Sequence, residues 1–125
     1  MVIDRETIKT RVERECDGFV KVKYSDKPEW LIIKSFIENK TMASIRFGIA
    51  NITLNIDTKA GVSLDEWFGK TEGLAITTTL KANHIQNRIN IEHDYYGLIP
   101  IILTLAYKSN MCHLNTDKDR RPLEN

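Results

Sequence analysis

Between Thr41 and Asp57 the chain reads TMASIRFGIANITLNID. Ile45, Phe47 and Ile49 alternate with other residues, and Ile52, Leu54 and Ile56 alternate in the opposite parity. A period of two marks extended chain with one buried face. The change of parity beside Gly48 places a bulge or a tight turn at residues 48–51. Two such strands cannot bury an apolar face by themselves. This stretch therefore commits the chain to a larger sheet that another layer must cover.

Similar patterns recur on both sides. FVKVKY (19–24) alternates with Lys21 and Lys23 on the wet face, and SDKP then turns the chain. PEWLIIKSFIENK admits two readings. As a helix it starts at Asp26-x-x-Glu29 and aligns Trp30, Ile33 and Ile37; as a strand it is rich in β-branched and aromatic residues. The β character that follows favours the strand. LAITTTLKA (74–82) reads as a strand, with Thr77, Thr78 and Thr79 as strand formers rather than nucleophiles. In QNRINIEHD (86–94), Ile89 and Ile91 face in while Arg88, Asn90, Glu92 and Asp94 face out. LIPIILTLAYK (98–108) is the most apolar run and is expected to be the strand at the sheet centre, its pairing interrupted at Pro100.

Two segments read as helices. Over residues 4–17, Asp4 can cap the first turn, Ile8, Val12 and Cys16 make one stripe, and Gly18 can end the helix. Ser63-x-x-Glu66 is a capping-box pattern opening a short helix that Gly69 ends, with Trp67 and Phe68 placed to plug one end of a sheet. The expected fold is α+β: an N-terminal helix on a curved, mainly antiparallel sheet of about six strands, with a short second helix between two β halves. A small closed barrel is the alternative. Residues 1–108 form one domain and 109–125 a polar tail, which Met111, Cys112 and Leu114 can pin to the body.

A chain of 125 residues, 42% hydrophobic and 28% charged, can bury a core without disulfide or metal. The N-terminus is charged from Asp4 onward, unlike a signal peptide, and no apolar run approaches the roughly 20 residues of a spanning helix. A soluble, cytoplasmic protein is expected. The abundance of isoleucine and asparagine fits an AT-rich bacterial or phage gene. Net charge is +1, divided as +2 over residues 1–62 (11 basic, 9 acidic) and −1 over 63–125 (7 basic, 8 acidic). The pI of 7.8 lies below the roughly 9 of a typical nucleic-acid domain. Nucleic acid is thus not the expected partner, although folding can gather charges that sequence scatters. Lys21, Lys23 and Lys27 could line a strand edge, where lysines also guard against aggregation; Arg120 and Arg121 sit in the tail.

His93 shares a face with Ile89 and Ile91, so it points inward near a strand end. The simpler reading is a boundary histidine bonded to a backbone carbonyl; the catalytic reading needs a carboxylate on the same face. Adjacent strand residues point to opposite faces, so Asp94 is that partner only if a turn begins at residue 93. Tyr95 and Tyr96 either fold back on the core or stand out as binding anchors. Asp65 and Glu66 fall in the first turn of a helix, where carboxylates offset its dipole. Cys16 and Cys112 read as free thiols, with a single bridge between them as the alternative. His84, His93, His113 and the two cysteines lack the close spacing of a structural zinc site, so no metal is expected. No GxxxxGK[ST], GxGxxG or GxSxG motif occurs, and no cofactor is implied.

These readings leave three functions. The first is a small non-catalytic inhibitor that occludes a protein partner such as a toxin or nuclease, in the manner of an immunity protein or phage-encoded antagonist. Its expected contact surface is acidic and aromatic: Glu92, Asp94, Tyr95 and Tyr96, joined by Asp65, Glu66 and Glu72. The second is a small-molecule-binding or enzymatic domain with a pocket between sheet and helix, lined by Trp30, Trp67, Phe68, His93 and Tyr107. The third is a homo-oligomer built on exposed strand edges.

Overall fold

A computed structural model describes residues 2–35 and 39–118, with the side chains of 110–118 left aside. The first helix, α1 (Arg5–Glu15), begins as its sequence directs: the Thr7 N–H donates to Asp4 Oδ1 at 2.9 Å. Ile8, Val12 and Cys16 are buried, and Gly18 follows with a φ of +84°. Arg5 donates to the carbonyls of Ser25, Lys27 and Trp30, which ties the start of α1 to the first hairpin.

That hairpin joins β1 (Val20–Tyr24) to β2 (Trp30–Ser35); β3 (Thr41–Phe47) and β4 (Ile52–Lys59) follow. The parity change is a tight turn, closed by the Gly48 N–H donating to the Asn51 carbonyl at 2.9 Å. The ambiguous segment is a strand over Trp30–Ser35, and residues 36–38, including Ile37, lie outside the described ones. After β4, the Glu66 N–H donates to Ser63 Oγ at 3.2 Å and opens α2 (Leu64–Phe68), with Gly69 as its C-cap. Phe68 is buried as expected of a plug, whereas Trp67 is 46% exposed.

The last two strands, β5 (Leu74–Leu80) and β6 (His84–Ile91), form a hairpin, and its second strand enters the sheet beside β4. The sheet order is β1-β2-β3-β4-β6-β5, with every neighbouring pair antiparallel. The α2 crossover thus leaves a slot one strand wide that β6 fills. β1 and β5 are free edges, so the sheet is open and not a barrel.

One expectation is overturned. Residues 98–108 are not the central strand but the first half of α3 (Leu98–Lys118). Their buried members are Ile99, Pro100, Ile102, Leu103, Ala106 and Tyr107, while Ile101, Leu105 and Lys108 are exposed. That is a helical stripe of period 3.6, hidden in the sequence because exposed positions are also apolar. Pro100 sits in the first turn, where its missing N–H has no partner to lose. The sheet centre falls on β3 and β4 instead, and the backbone of 109–118, expected as tail, continues the helix. Among the described residues no helix is long and apolar enough to cross a membrane.

Candidate functional site

The corner between β6 and α3 holds the sequence's most chemically suggestive run, Glu92 to Tyr96. β6 ends at Ile91, the Glu92 N–H donates to the Gly73 carbonyl at 3.0 Å, and a single 3-10 turn covers His93–Tyr95. Within it the Tyr95 N–H donates to the Glu92 carbonyl at 2.8 Å, and the Ile99 N–H to the Tyr96 carbonyl at 3.1 Å. A turn therefore does begin at residue 93, the one arrangement that could have let His93 meet Asp94.

The imidazole turns inward instead and is 5% exposed. The Ile3 N–H donates to its Nδ1 at 2.9 Å, and its Nε2 lies 2.8 Å from the Gly48 carbonyl. An N–H facing Nδ1 makes that atom the acceptor, so Nε2 carries the proton and donates to Gly48; the tautomer is assigned from these partners. Both ring nitrogens are consumed by main chain from residues 90 and 45 positions away. His93 is a brace holding the N-terminal segment, the β3–β4 turn and the corner together. The boundary reading, a backbone-bonded histidine, describes it.

The tyrosines also serve the fold. Tyr95 is half-buried, and its ring lies on Gly73, where φ is +86° and an added Cβ would overlap the ring. The Glu72 carboxylate near the Tyr95 hydroxyl, through hydrogen bonding, is the first cause that raises its pKa above the ordinary phenol value, and burial is the second. Tyr96, also half-buried, lies under the Arg11 guanidinium, 5.2 Å from its ring centre. Arg11 in turn pairs with Glu15. Outside this frame Glu72, Glu92 and Asp94 are exposed around Tyr95, whose electrostatics include all three. Asp65 and Glu66 are exposed in the first turn of α2 and belong to that helix start rather than to the corner.

The residues proposed for a pocket occupy separate places. Trp30 is on the sheet face away from the helices, paired with Arg46. Trp67 is exposed on α2, Phe68 is in the core, and His93 is locked as described. Tyr107, on α3, stacks on Phe19 with ring centres 5.3 Å apart. It also lines a cleft of about 370 Å³ with Ser35, Lys40, Thr58 and His84. Ser35 Oγ is buried there without a hydrogen-bond partner. Nothing in the β2 alternation singled Ser35 out.

Cys16 is a buried free thiol whose Sγ lies 3.5 Å from both the Pro100 carbonyl and Thr104 Oγ1. Burial, the largest influence, raises its pKa. The side chain of Cys112, Arg120 and Arg121 lie outside the described residues. Among those described, no group of His, Cys, Asp and Glu side chains is placed to hold a metal ion. Compared with family models, curated proteins and solved structures, the chain matches none.

Proposed function

We propose that this chain is a small non-catalytic protein-binding protein. It would act by stoichiometric occlusion, as a toxin-neutralising immunity protein or a phage-encoded antagonist does. The observation that carries this reading is the braced corner. Its histidine has no free nitrogen to offer a substrate, and the same bonds hold Glu92 and Asp94 outward on a fixed frame. Exposed carboxylates on a fixed main chain leave no backbone freedom to lose on binding, which favours recognition. A basic partner surface, such as the substrate-binding face of a nuclease, is the complement such a corner fits. In this reading the tyrosines shape the corner from beneath rather than acting as free anchors.

The test is affinity capture from the native host with wild type and with Glu92→Lys/Asp94→Lys, both checked for an unchanged thermal midpoint. One partner recovered in equimolar amount by wild type and lost by the variant supports the reading. Equal recovery by both removes the corner as the contact surface. A second reading, a small-molecule-binding domain, is favoured by the unpartnered Ser35 Oγ on the wall of the cleft. An unsatisfied buried hydroxyl costs about 1–3 kcal/mol, which a polar ligand would recover. A rise in thermal midpoint with a polar metabolite, abolished by Ser35→Ala, would favour it over the corner.

A further inference from the structure

All three helices pack on one face of the sheet, against Ile33, Ile45, Leu54 and Ile89. Among the described residues no helix covers the other face. There the register aligns Lys23, Ile32, Ser44, Asn55, Arg88 and Thr77 in one row across all six strands. The adjacent row holds Trp30, Arg46, Thr53, Asn90 and Ala75. Lys34 stands beside Lys23 and Ile32 on the same side. At a strand spacing of about 4.8 Å, Lys23 and Arg88 lie about 19 Å apart, with Lys34 and Arg46 on the strands between.

The signs on this face are unbalanced. Lys21, Lys23, Lys34, Arg46, Lys59 and Arg88 share it with Asp57, which stands 3.9 Å from His84 toward one end of the sheet; Asp26 belongs to the β1–β2 turn and Glu92 follows the end of β6. Of these, Lys23, Lys34, Arg46 and Arg88 pair with no carboxylate among the described residues. By contrast, α1 pairs its charges, Lys9 with Glu13 and Arg11 with Glu15. Lysines guarding an edge explain Lys23 on β1. They do not explain Arg46 on β3 or Arg88 on β6, because those strands are paired on both sides.

The middle of the face also speaks to the class of partner. The centre of a protein–protein interface is apolar and poor in charge. Here it is Ser44, Thr53, Asn55 and Asn90, flanked by cations. Nucleic-acid interfaces are more polar and far more positive. A duplex groove admits a helix or a narrow ribbon, whereas a broad sheet face suits unstacked single strands that lay bases on aromatic rings. Trp30, half-buried and directly paired with Arg46, supplies a ring beside a cation.

We propose that this open face binds single-stranded nucleic acid, with phosphates along Lys23, Lys34, Arg46 and Arg88 and a base against Trp30. The bulk charge of +1 does not weigh against it, because strand register rather than composition gathers these cations. The acidic corner adjoins one end of this face, where Glu92 follows the end of β6, but the two proposals rest on different side chains and different variants test them, so either can fail alone.

The test is fluorescence anisotropy of the full chain with a labelled single-stranded oligonucleotide of about 16 nucleotides, the upper end of single-strand site sizes. Four phosphate contacts predict a log–log salt slope of about −2.8, and so a loss of about 50-fold between 50 and 200 mM salt. Lys23→Glu/Arg46→Glu/Arg88→Glu should bring that slope to about −0.7 or abolish binding. Arg14→Glu/Lys70→Glu/Lys108→Glu, which makes the same charge change away from the face, should bind nearly as wild type does. Tryptophan quenching on binding, read in a Trp67→Phe background so that Trp30 alone reports, should accompany the anisotropy change. No binding at low salt, or equal weakening by the two triple variants, overturns the proposal. Polyglutamate competing as well as the oligonucleotide without quenching Trp30 also overturns it, and assigns the face to an acidic protein.

Discussion

Leu54 and Asn55 are neighbours on β4, yet they belong to different environments. Leu54 is wholly buried among Ile45, Ile89 and the helices, while Asn55 stands half-buried on the bare face between Ser44 and Arg88. The same contrast runs along β1, β2, β3 and β6. One face is a largely aliphatic core and the other a mostly polar surface with cations on five of its strands. A period of two lets one set of strands specify both, so the side facing the helices is fixed by stability and the other is left free for recognition.

The contrast breaks most sharply at that pair. Leu54→Ala should destabilise by about 3 kcal/mol through lost burial and a residual cavity, whereas Asn55→Ala should stay within about 0.5 kcal/mol. Urea midpoints of the two variants measure the difference, and equal shifts would mean that the bare face is packed. His93→Ala comes next, at about 2–3 kcal/mol, because it strands the Ile3 N–H and the Gly48 carbonyl. Faster hydrogen exchange at the Ile3 amide than in wild type would locate the loss.

Two glycines with nearly equal φ sharpen the role of packing. Gly18→Ala, at +84° with nothing within 4 Å, should cost about 1 kcal/mol from backbone strain. Gly73→Ala, at +86° and under the Tyr95 ring, should cost more, about 2–3 kcal/mol. Thermal midpoints of the pair separate strain from overlap, and equal shifts would mean that Tyr95 moves freely. Ser63→Ala should cost about 1 kcal/mol by removing the cap of α2.

The smallest effect concerns Cys16, which burial keeps in its thiol form at neutral pH. Alkylation followed by peptide mapping should find Cys16 unmodified in the native protein and modified in urea. Raising the pH toward 9 should accelerate labelling of the native thiol less than that of the unfolded one, since the folded pKa is the higher.

Much of this was legible in the sequence wherever a signal is local. Asp4, Ser63 and Gly18 mark helix ends through hydrogen bonds and φ preferences that span a few residues. The alternation of Ile45, Leu54 and Ile89 marks an inward face. The inward aim of His93 followed from the parity of β6, but its partners did not, since Ile3 and Gly48 are brought to it only by the folded sheet. The acidic half of the corner was named residue by residue, yet the half-burial of its tyrosines depends on Gly73 and Arg11, which come from other elements.

The sequence by itself determined the first two helices, their caps and the alternating faces of most strands, because these depend on contacts a few residues apart. Tertiary structure decided three things. It made 98–108 a helix, since a sheet already complete with six strands needed a cover for its apolar face, and a run apolar at nearly every position fits a helix as well as a strand. It set β6 between β4 and β5, because the α2 crossover left that slot open. It also drew Lys23, Lys34, Arg46 and Arg88 onto one surface, because inter-strand register sums charges that lie up to 65 positions apart in the chain.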